Sequence, residues 1–192
     1  LLSRGLGDVY KRQVKRLLKS KKGSPGEKNN PFAINLYILG YNSDKNLSIL
    51  NRAVKENLKT YIGEYRMLTD GINIIDGYVI NIGLDFEIRV YGGYNKREVL
   101  AKCISELTQY FNIDNWTFNM PINISAIEIL LASIEGVQSV PKCEIVNKCL
   151  GKYSEHSYDI QAATKGKMVY PSVDPSVFEV KFPNKDLKGR VV

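Results

Sequence analysis

A strict alternation between residues 79 and 90 constrains the fold more than any other part of this sequence. One parity is apolar, and the other parity is polar or glycine: Ile80, Ile82, Leu84, Phe86, Ile88 and Val90 against Asn81, Gly83, Asp85, Glu87 and Arg89. Because successive side chains of a strand point to opposite faces, the pattern predicts a long strand with one buried and one solvated face. Such a two-faced strand is typical of an antiparallel or mixed sheet.

Helical and strand patterns alternate on either side of this strand. Residues 33–41 predict a buried strand, and the apolar spacing from Leu47 to Arg66 predicts an amphipathic helix. Asn95 is a predicted N-cap with Glu98 at the third helical position, and a capping box at Ser125 opens a shorter helix. Further strands are predicted at 137–146, 158–164 and 168–170. The fold class that follows is α/β of the α+β kind: a strand-helix-strand-helix sandwich with a mixed or antiparallel sheet and helices mainly on one face.

The predicted domain is residues 31–170, with subdomains at 31–94 and 95–170 as an open alternative. Residues 14–30 form a basic helical segment and a Gly-Ser-Pro-Gly linker before it. Residues 171–192 contain three prolines and little regular period, which predicts an extended C-terminal arm outside the core.

The first 13 residues have a foreign character. The run Ser3 to Gln13 resembles a translated sequencing-library adapter, so we exclude residues 1–13 from the fold. On this interpretation the reading frame is a fragment of a longer gene, and the natural N-terminus is missing.

The charge is unevenly distributed. The 192-residue chain has a formal charge of +7, yet residues 29–192 hold 18 basic and 18 acidic residues. The excess therefore belongs to the first 28 residues. The polar side of the 79–90 strand offers mainly Asn, Gly, Asp and Glu rather than the combination of aromatic and basic residues that binds bases. We expect no nucleic-acid binding by residues 29–192. No apolar run reaches the ~18 residues of a membrane-spanning helix, so no membrane partner is expected either.

No catalytic, cofactor or metal constellation emerges from the residues. His156 is the one histidine and has no nucleophile motif beside it, and Asp85 with Glu87 is better explained as a solvated or subunit-facing surface. Cys103 is predicted to be a buried thiol, while Cys143 and Cys149 could pair or remain free. The expectation is a protein that is not an enzyme and that needs no cofactor or metal.

Several phrases of the sequence are similar to the baseplate wedge proteins of contractile-tailed bacteriophages, which are grouped with the baseplate J-like proteins. The resemblance covers most of residues 31–192. The phrases that carry it are Leu58 to Gly71, Asn73-Ile74, Ile80 to Ile88, Tyr110 to Trp116 and Tyr170 to Lys181. It implies a virion protein of the tail baseplate, assembled in the host bacterial cytoplasm, that dimerises and links neighbouring wedges around the tail hub. It also implies that this chain corresponds to the C-terminal part of a longer protein. The family has no catalytic residues to carry over.

If function lies in interfaces, two surfaces are the candidates. The first is the exposed face around Asp85, Glu87 and Arg89; the second is the arm, in which Phe178, Val180 and Phe182 alternate. On this hypothesis, deletion of residues 171–192 impairs assembly and leaves the core folded. The expected partners are a second copy and other baseplate wedge or hub proteins. The alternative is an intracellular ferredoxin-like module that binds a small ligand or nucleic acid; a hydrolase built around His156 is a remote third.

Overall fold

Two units, divided between Tyr78 and Val79, fold around separate sheets. The structure is a computed structural model that describes residues 33–65, 71–172 and 175–192, together with the backbone of Leu18–Lys19. The predicted adapter (1–13) and all but two residues of the 14–30 segment lie outside the described residues. The division falls 16 residues before the subdomain boundary that we placed after residue 94.

The first unit is a small mixed sheet with one helix. Its strands are β1 (Leu18–Lys19), β2 (Ala33–Ile38) and β5 (Gly71–Asp76), and β2 lies in the middle. A short ribbon of β3 (Gly40–Tyr41) and β4 (Leu47–Ser48) precedes helix α1 (Arg52–Gly63). β1 is antiparallel to β2, so the helical segment that we predicted within residues 14–30 is wrong at residues 18 and 19.

Strands β2 and β5 are parallel, with Ala33 opposite Gly71 and Ile38 opposite Asp76. The connection between them contains α1, because parallel neighbours require a crossover rather than a hairpin. Asn51 begins the helix by accepting a hydrogen bond from the Ala53 amide at 3.2 Å. Lys55 Nζ lies 2.6 Å from Asp76 Oδ2, which joins α1 to the end of β5.

The second unit is built on the long strand that the alternation predicted. This strand is β6 (Tyr78–Val90), and it is followed by helix α2 (Lys96–Tyr110), a 3-10 turn (Ile113–Asn115), β7 (Ile122–Asn123) and α3 (Ile124–Ala132). The remaining elements follow in chain order: β8 (Val137–Asn147), α4 (Ile160–Ala163), β9 (Thr164–Lys165), β10 (Met168–Val169), β11 (Ser176–Glu179), α5 (Pro183–Asp186) and β12 (Leu187–Val191). The α+β class with mixed and antiparallel sheets is confirmed.

Strand β6 is the centre of a four-stranded sheet. β8 pairs with it antiparallel from Ile82 to Val90, and β12 pairs with it parallel from Leu84 to Ile88. Because β8 and β12 pair with the same residues of β6, they lie on opposite sides of it. β11 also pairs with β6, and the short strands β7, β10 and β9 form a separate antiparallel sheet.

The apolar side of β6 forms the core of this unit. Its alternating residues Ile80 to Ile88 are at most 2% exposed, and they lie in the same core as the buried faces of α2 and α3. Those faces consist of Val99, Cys103, Leu107, Ile127 and Leu131. Full burial of each such aliphatic or aromatic side chain contributes about 1.5–3 kcal/mol, so this layer accounts for much of the stability of the unit.

The C-terminal segment is the largest correction to our prediction. We predicted residues 171–192 to be an extended arm outside the core, but they supply β11 and β12, two strands of the central sheet. All four residues of β11 are buried. The prolines misled the prediction because they fall between the strands, with Pro183 at the start of α5, and none of the three lies within a strand.

Two smaller predictions are also wrong. Residues 160–163 are helical, because Asp159 caps them by accepting a hydrogen bond from the Ala162 amide at 3.0 Å, whereas we predicted a strand at 158–164. Helix α3 begins after Asn123, not at Ser125, since the Asn123 side chain accepts from the Ala126 amide at 3.3 Å. The predicted N-cap at Asn95 is confirmed.

Candidate assembly interface

The predicted polar face of β6 carries a two-dimensional array of charges. Asp85 lies between Lys188 of β12 and Glu144 of β8, and in the next row Glu87 lies between Arg190 and Lys142. Arg89 continues the array along β6, opposite Ser139. We call this surface the charged face and define it by seven residues: Asp85, Glu87, Arg89, Lys142, Glu144, Lys188 and Arg190.

Opposite charges on the charged face pair in part. Arg190 forms an ion pair with Glu87, and Lys142 Nζ lies 3.0 Å from Glu144 Oε2. The hydrogen bond to Glu144, then its negative charge, raises the pKa of Lys142. Glu87 is half-buried, but Arg190, Lys142 and Glu144 are exposed, so solvent screens the pairs and they contribute little to folding. Charged groups that add little to stability remain available for contacts with another protein.

Three residues on the charged face have a charged or polar group without a partner among the described residues. Within the described residues Lys188 and Arg89 take part in no ion pair, although both are exposed. Asp85 Oδ1 is buried and accepts no hydrogen bond from any described residue. The face is therefore a mixture of ion pairs and charges that are not paired with a described residue.

A loop and the C-terminal segment cover the first part of the same face. Asn81 is 1% exposed; it donates to Glu179 Oε2 at 2.8 Å and accepts from the Ser154 amide at 2.7 Å. A Cβ on Gly83 would lie 2.7 Å from Lys148 Cε, so this position is also covered. Our prediction that Asn81 and Gly83 face solvent is wrong, because strand alternation assigns a side chain to a face but does not reveal what lies on that face.

Beside this contact, Asp186 fixes the short helix α5. Asp186 is 1% exposed, and its carboxylate accepts hydrogen bonds from the Tyr153 hydroxyl at 2.6 Å and from the Phe182 amide at 2.8 Å. The hydrogen bond from Tyr153 to this carboxylate is the main cause that raises the pKa of Tyr153 to about 12. Each carboxylate oxygen therefore has a donor, as a buried charge requires.

The apolar residues proposed as a second interface are placed differently. Phe178 is 2% exposed and contacts the ring of Tyr158 at a centroid distance of 6.1 Å, and Val180 is 8% exposed. Phe182 is half-buried, with its ring 5.6 Å from that of Tyr153. The alternation of these residues reflects packing within their own unit, so Phe178 and Val180 do not form a surface for a partner in this fold.

The sequence prediction of the charged face included Asp85, Glu87 and Arg89 and missed the four residues on the neighbouring strands. A signal for them exists in the sequence. Lys188 and Arg190 alternate with Leu187, Gly189 and Val191, and Lys142 and Glu144 alternate with Cys143 and Ile145. What the sequence lacks is the register that brings these short alternations beside β6.

The histidine and the three cysteines, the residues with reactive side chains, are placed as follows. His156 lies in an exposed loop, where its backbone amide donates to Ser154 Oγ at 3.1 Å. All three cysteines are free thiols, so Cys143 and Cys149 do not pair. Burial raises the pKa of Cys103 to about 11 and that of Cys143 to about 12, which keeps both thiols protonated and unreactive near neutral pH.

The described residues contain neither a metal-binding cluster nor a helix that could span a membrane. No group of three or more histidine, cysteine, aspartate or glutamate side chains is arranged to hold a metal ion among them. The helices found in this same part of the chain are all too short or too polar to cross a membrane.

Comparison with known proteins identifies a structural likeness. No family model matches the sequence, and no curated protein matches it. The fold is similar to that of a chain in the cryo-EM structure of the anti-feeding prophage (AFP) baseplate, 6-fold symmetrised, with a TM-score of 0.53 and 10% sequence identity. The match covers 91% of this chain and 36% of that chain, so this chain spans little more than a third of its neighbour's length. At this identity the likeness shows a shared α+β fold.

Proposed function

We propose that this chain is a structural, non-catalytic part of the baseplate of a contractile phage tail or phage-like tail. In the finer form of the proposal it is a wedge subunit that dimerises and links neighbouring wedges around the tail hub. The observation that carries the proposal is the fold likeness to an AFP baseplate chain over 91% of the sequence. The family resemblance of the sequence phrases supports the same conclusion independently.

The charged face is the surface that we propose for this role. A specific protein interface buries on the order of 1,200–2,000 Å² and relies on complementary charge to exclude wrong partners. Seven charged residues on three adjacent strands form a rigid array, because the strands fix the spacing of the side chains. We propose Asp85, Glu87 and Arg89, with their neighbours on β8 and β12, as contacts to a second copy or to another wedge or hub protein.

The location of the protein tests the proposal most directly. We would analyse purified tailed particles and the matching cell lysate by peptide mass spectrometry, following the tryptic peptide Met67–Arg89. The expected result is this peptide in particles at the abundance of a structural protein. The peptide Gly5–Lys11 is the control for the adapter interpretation and should be absent.

Each other outcome has a definite meaning. If Met67–Arg89 occurs in lysate and not in particles, the baseplate proposal fails and the intracellular binding module becomes the better explanation. If Gly5–Lys11 is found in the natural protein, residues 1–13 belong to the gene and the adapter interpretation is wrong.

A further inference from the structure

Strand β12 forms an edge of the central sheet. In the described part of the chain its one strand partner is β6. The amide of Val192 donates to the Ile88 carbonyl at 2.9 Å, so Val192 directs its backbone toward β6, and Arg190 and Lys188, two and four residues earlier, do the same. The backbone groups of Gly189 and Val191 therefore point away from β6. An edge of this kind is a template for a strand from another chain.

The side chains next to this edge select the charge of an added strand. Lys188 and Arg190 are exposed and lie in the outermost row of the charged face. Arg190 forms an ion pair with Glu87, whereas Lys188, although Asp85 is its neighbour on β6, forms no ion pair with any described residue. A residue directly opposite Lys188 on a new strand would lie about 5 Å away, where an acidic side chain is favourable and a basic one is not.

On the other face of the sheet, helix α2 favours apolar residues in an added strand. Helix α2 lies close to β12, since a Cβ on Gly189 would lie 2.5 Å from Leu100 Cδ1. Ile104 follows one helical turn later on the same flank of α2, and both side chains are half-buried. The inward-pointing residues of an added strand would cover this flank, so they should be apolar.

We propose that the edge of β12 binds an extended segment of another polypeptide in which acidic residues alternate with apolar ones. The segment adds a fifth strand, with acids beside Lys188 and Arg190 and apolar side chains against Leu100 and Ile104. The backbone groups of Gly189 and Val191 supply the hydrogen bonds, as in other cases of strand addition. This inference rests on the proposed function, because it names the chemistry of a partner for the charged face.

The test uses the full chain and a synthetic nine-residue peptide with Glu at even positions and Val or Thr at odd positions. Binding is measured by fluorescence anisotropy, and the bound edge is located by amide hydrogen exchange. We expect saturable binding, slower exchange of the Gly189 and Val191 amides, and weaker binding by a peptide with Lys in place of Glu.

Two variants and one control make the test specific. Lys188→Glu should weaken binding about tenfold, because it replaces an attraction by a repulsion across the new strand pair. Val191→Pro removes an outward N–H while leaving the β6–β12 hydrogen bonds intact, and should weaken binding at least about tenfold. Lys165→Glu, at an exposed position on β9, is the matched charge control and should bind as the parent chain does.

Three results would overturn the inference: equal binding of the Glu and Lys peptides, binding that neither variant changes, or protection of amides elsewhere. If Val191→Pro does not fold, Lys188→Glu decides the matter alone. The peptide assay needs no particles, so its failure is distinguishable from failure of the baseplate proposal. Peptide binding by a chain absent from particles would refute the proposed function and leave the edge as a binding site.

Discussion

Three polar residues of the second unit are buried, and hydrogen bonds offset the free-energy cost of removing them from water. Asn81, Glu179 and Asp186 are all at most 3% exposed, and each takes part in a hydrogen bond. These bonds join β6, the 148–154 loop and α5, three parts of the chain far apart in sequence. A buried acceptor that loses its donor costs about 1–3 kcal/mol, so the network specifies one arrangement of these parts.

The hydrogen bond between Tyr153 and Asp186 predicts a defined dependence of stability on pH. It raises the pKa of Tyr153 from 10.0 to about 12, so the folded state holds this proton more tightly than the unfolded state. The stabilisation is complete below pH 10 and is lost as the pH rises toward 12. Tyr153→Phe should lower the free energy of unfolding at pH 8 by about 1–3 kcal/mol, and the difference from the parent should shrink between pH 10 and 12.

Urea unfolding at several pH values measures this difference. Tyr91→Phe, at an exposed tyrosine, is the control and should change the free energy of unfolding by less than about 0.5 kcal/mol. A Tyr153→Phe difference that stays constant from pH 8 to 12 would contradict the assignment.

Phe178 provides a second prediction at this scale, because the structure assigns it to the core and our sequence hypothesis assigned it to a partner. Phe178→Ala should lower the free energy of unfolding by about 3–5 kcal/mol, since it leaves a cavity in the core. Arg89→Ala, on the exposed charged face, is the control and should change it by less than about 0.5 kcal/mol. If the two variants are equally stable in urea, the assignment of Phe178 to the core is wrong.

At the scale of elements, the long and strongly periodic segments were predictable. The alternation over 79–90 gave β6, and the Asn95 cap located α2, because both signals are local. The missed elements depend on distant partners. No element was predicted for residues 71–76, which form β5 by pairing with β2, and β11 and β12 become strands by joining β6. The charged face was predicted only in part for the same reason. Three of its residues lie on β6, and the other four lie on strands whose position beside β6 depends on distant pairing.

The C-terminal strands yield a prediction opposite to the one made from sequence. Deletion of residues 171–192 removes β11 and β12 and exposes the backbone groups of β6 that pair with them, so the second unit should lose its fold. Hydrogen exchange of the β6 amides is the measurement, and rapid exchange throughout residues 80–88 is expected. Arg190→Ala, which keeps the strand, should retain slow exchange. Protected β6 amides in the truncated chain would restore the description of this segment as a dispensable arm.

At the scale of the whole molecule, the two units differ in how far their helices are buried. In the second unit α2 and α3 bury apolar faces in the same core as β6, whereas in the first unit no residue of α1 is fully buried. Tyr61 and Tyr65 on and after α1 are 60% and 76% exposed, and their rings contact each other at 5.2 Å. Stability should therefore be concentrated in the second unit, where most of the large side chains are excluded from water.

The pairing of β6 with β12 also has a consequence for the order of events during synthesis. Glu87 and Arg190, neighbours across the two strands, are separated by 103 positions in the chain. Contacts of such long range form slowly, because a large loop must close before any pairing energy is gained. Until residues 187–191 have been synthesised, β6 lacks β12, and an unpaired strand edge is prone to aggregation. The sheet can therefore be completed only after residue 191 has been synthesised. Chains that stop earlier would remain substrates for chaperones and proteases.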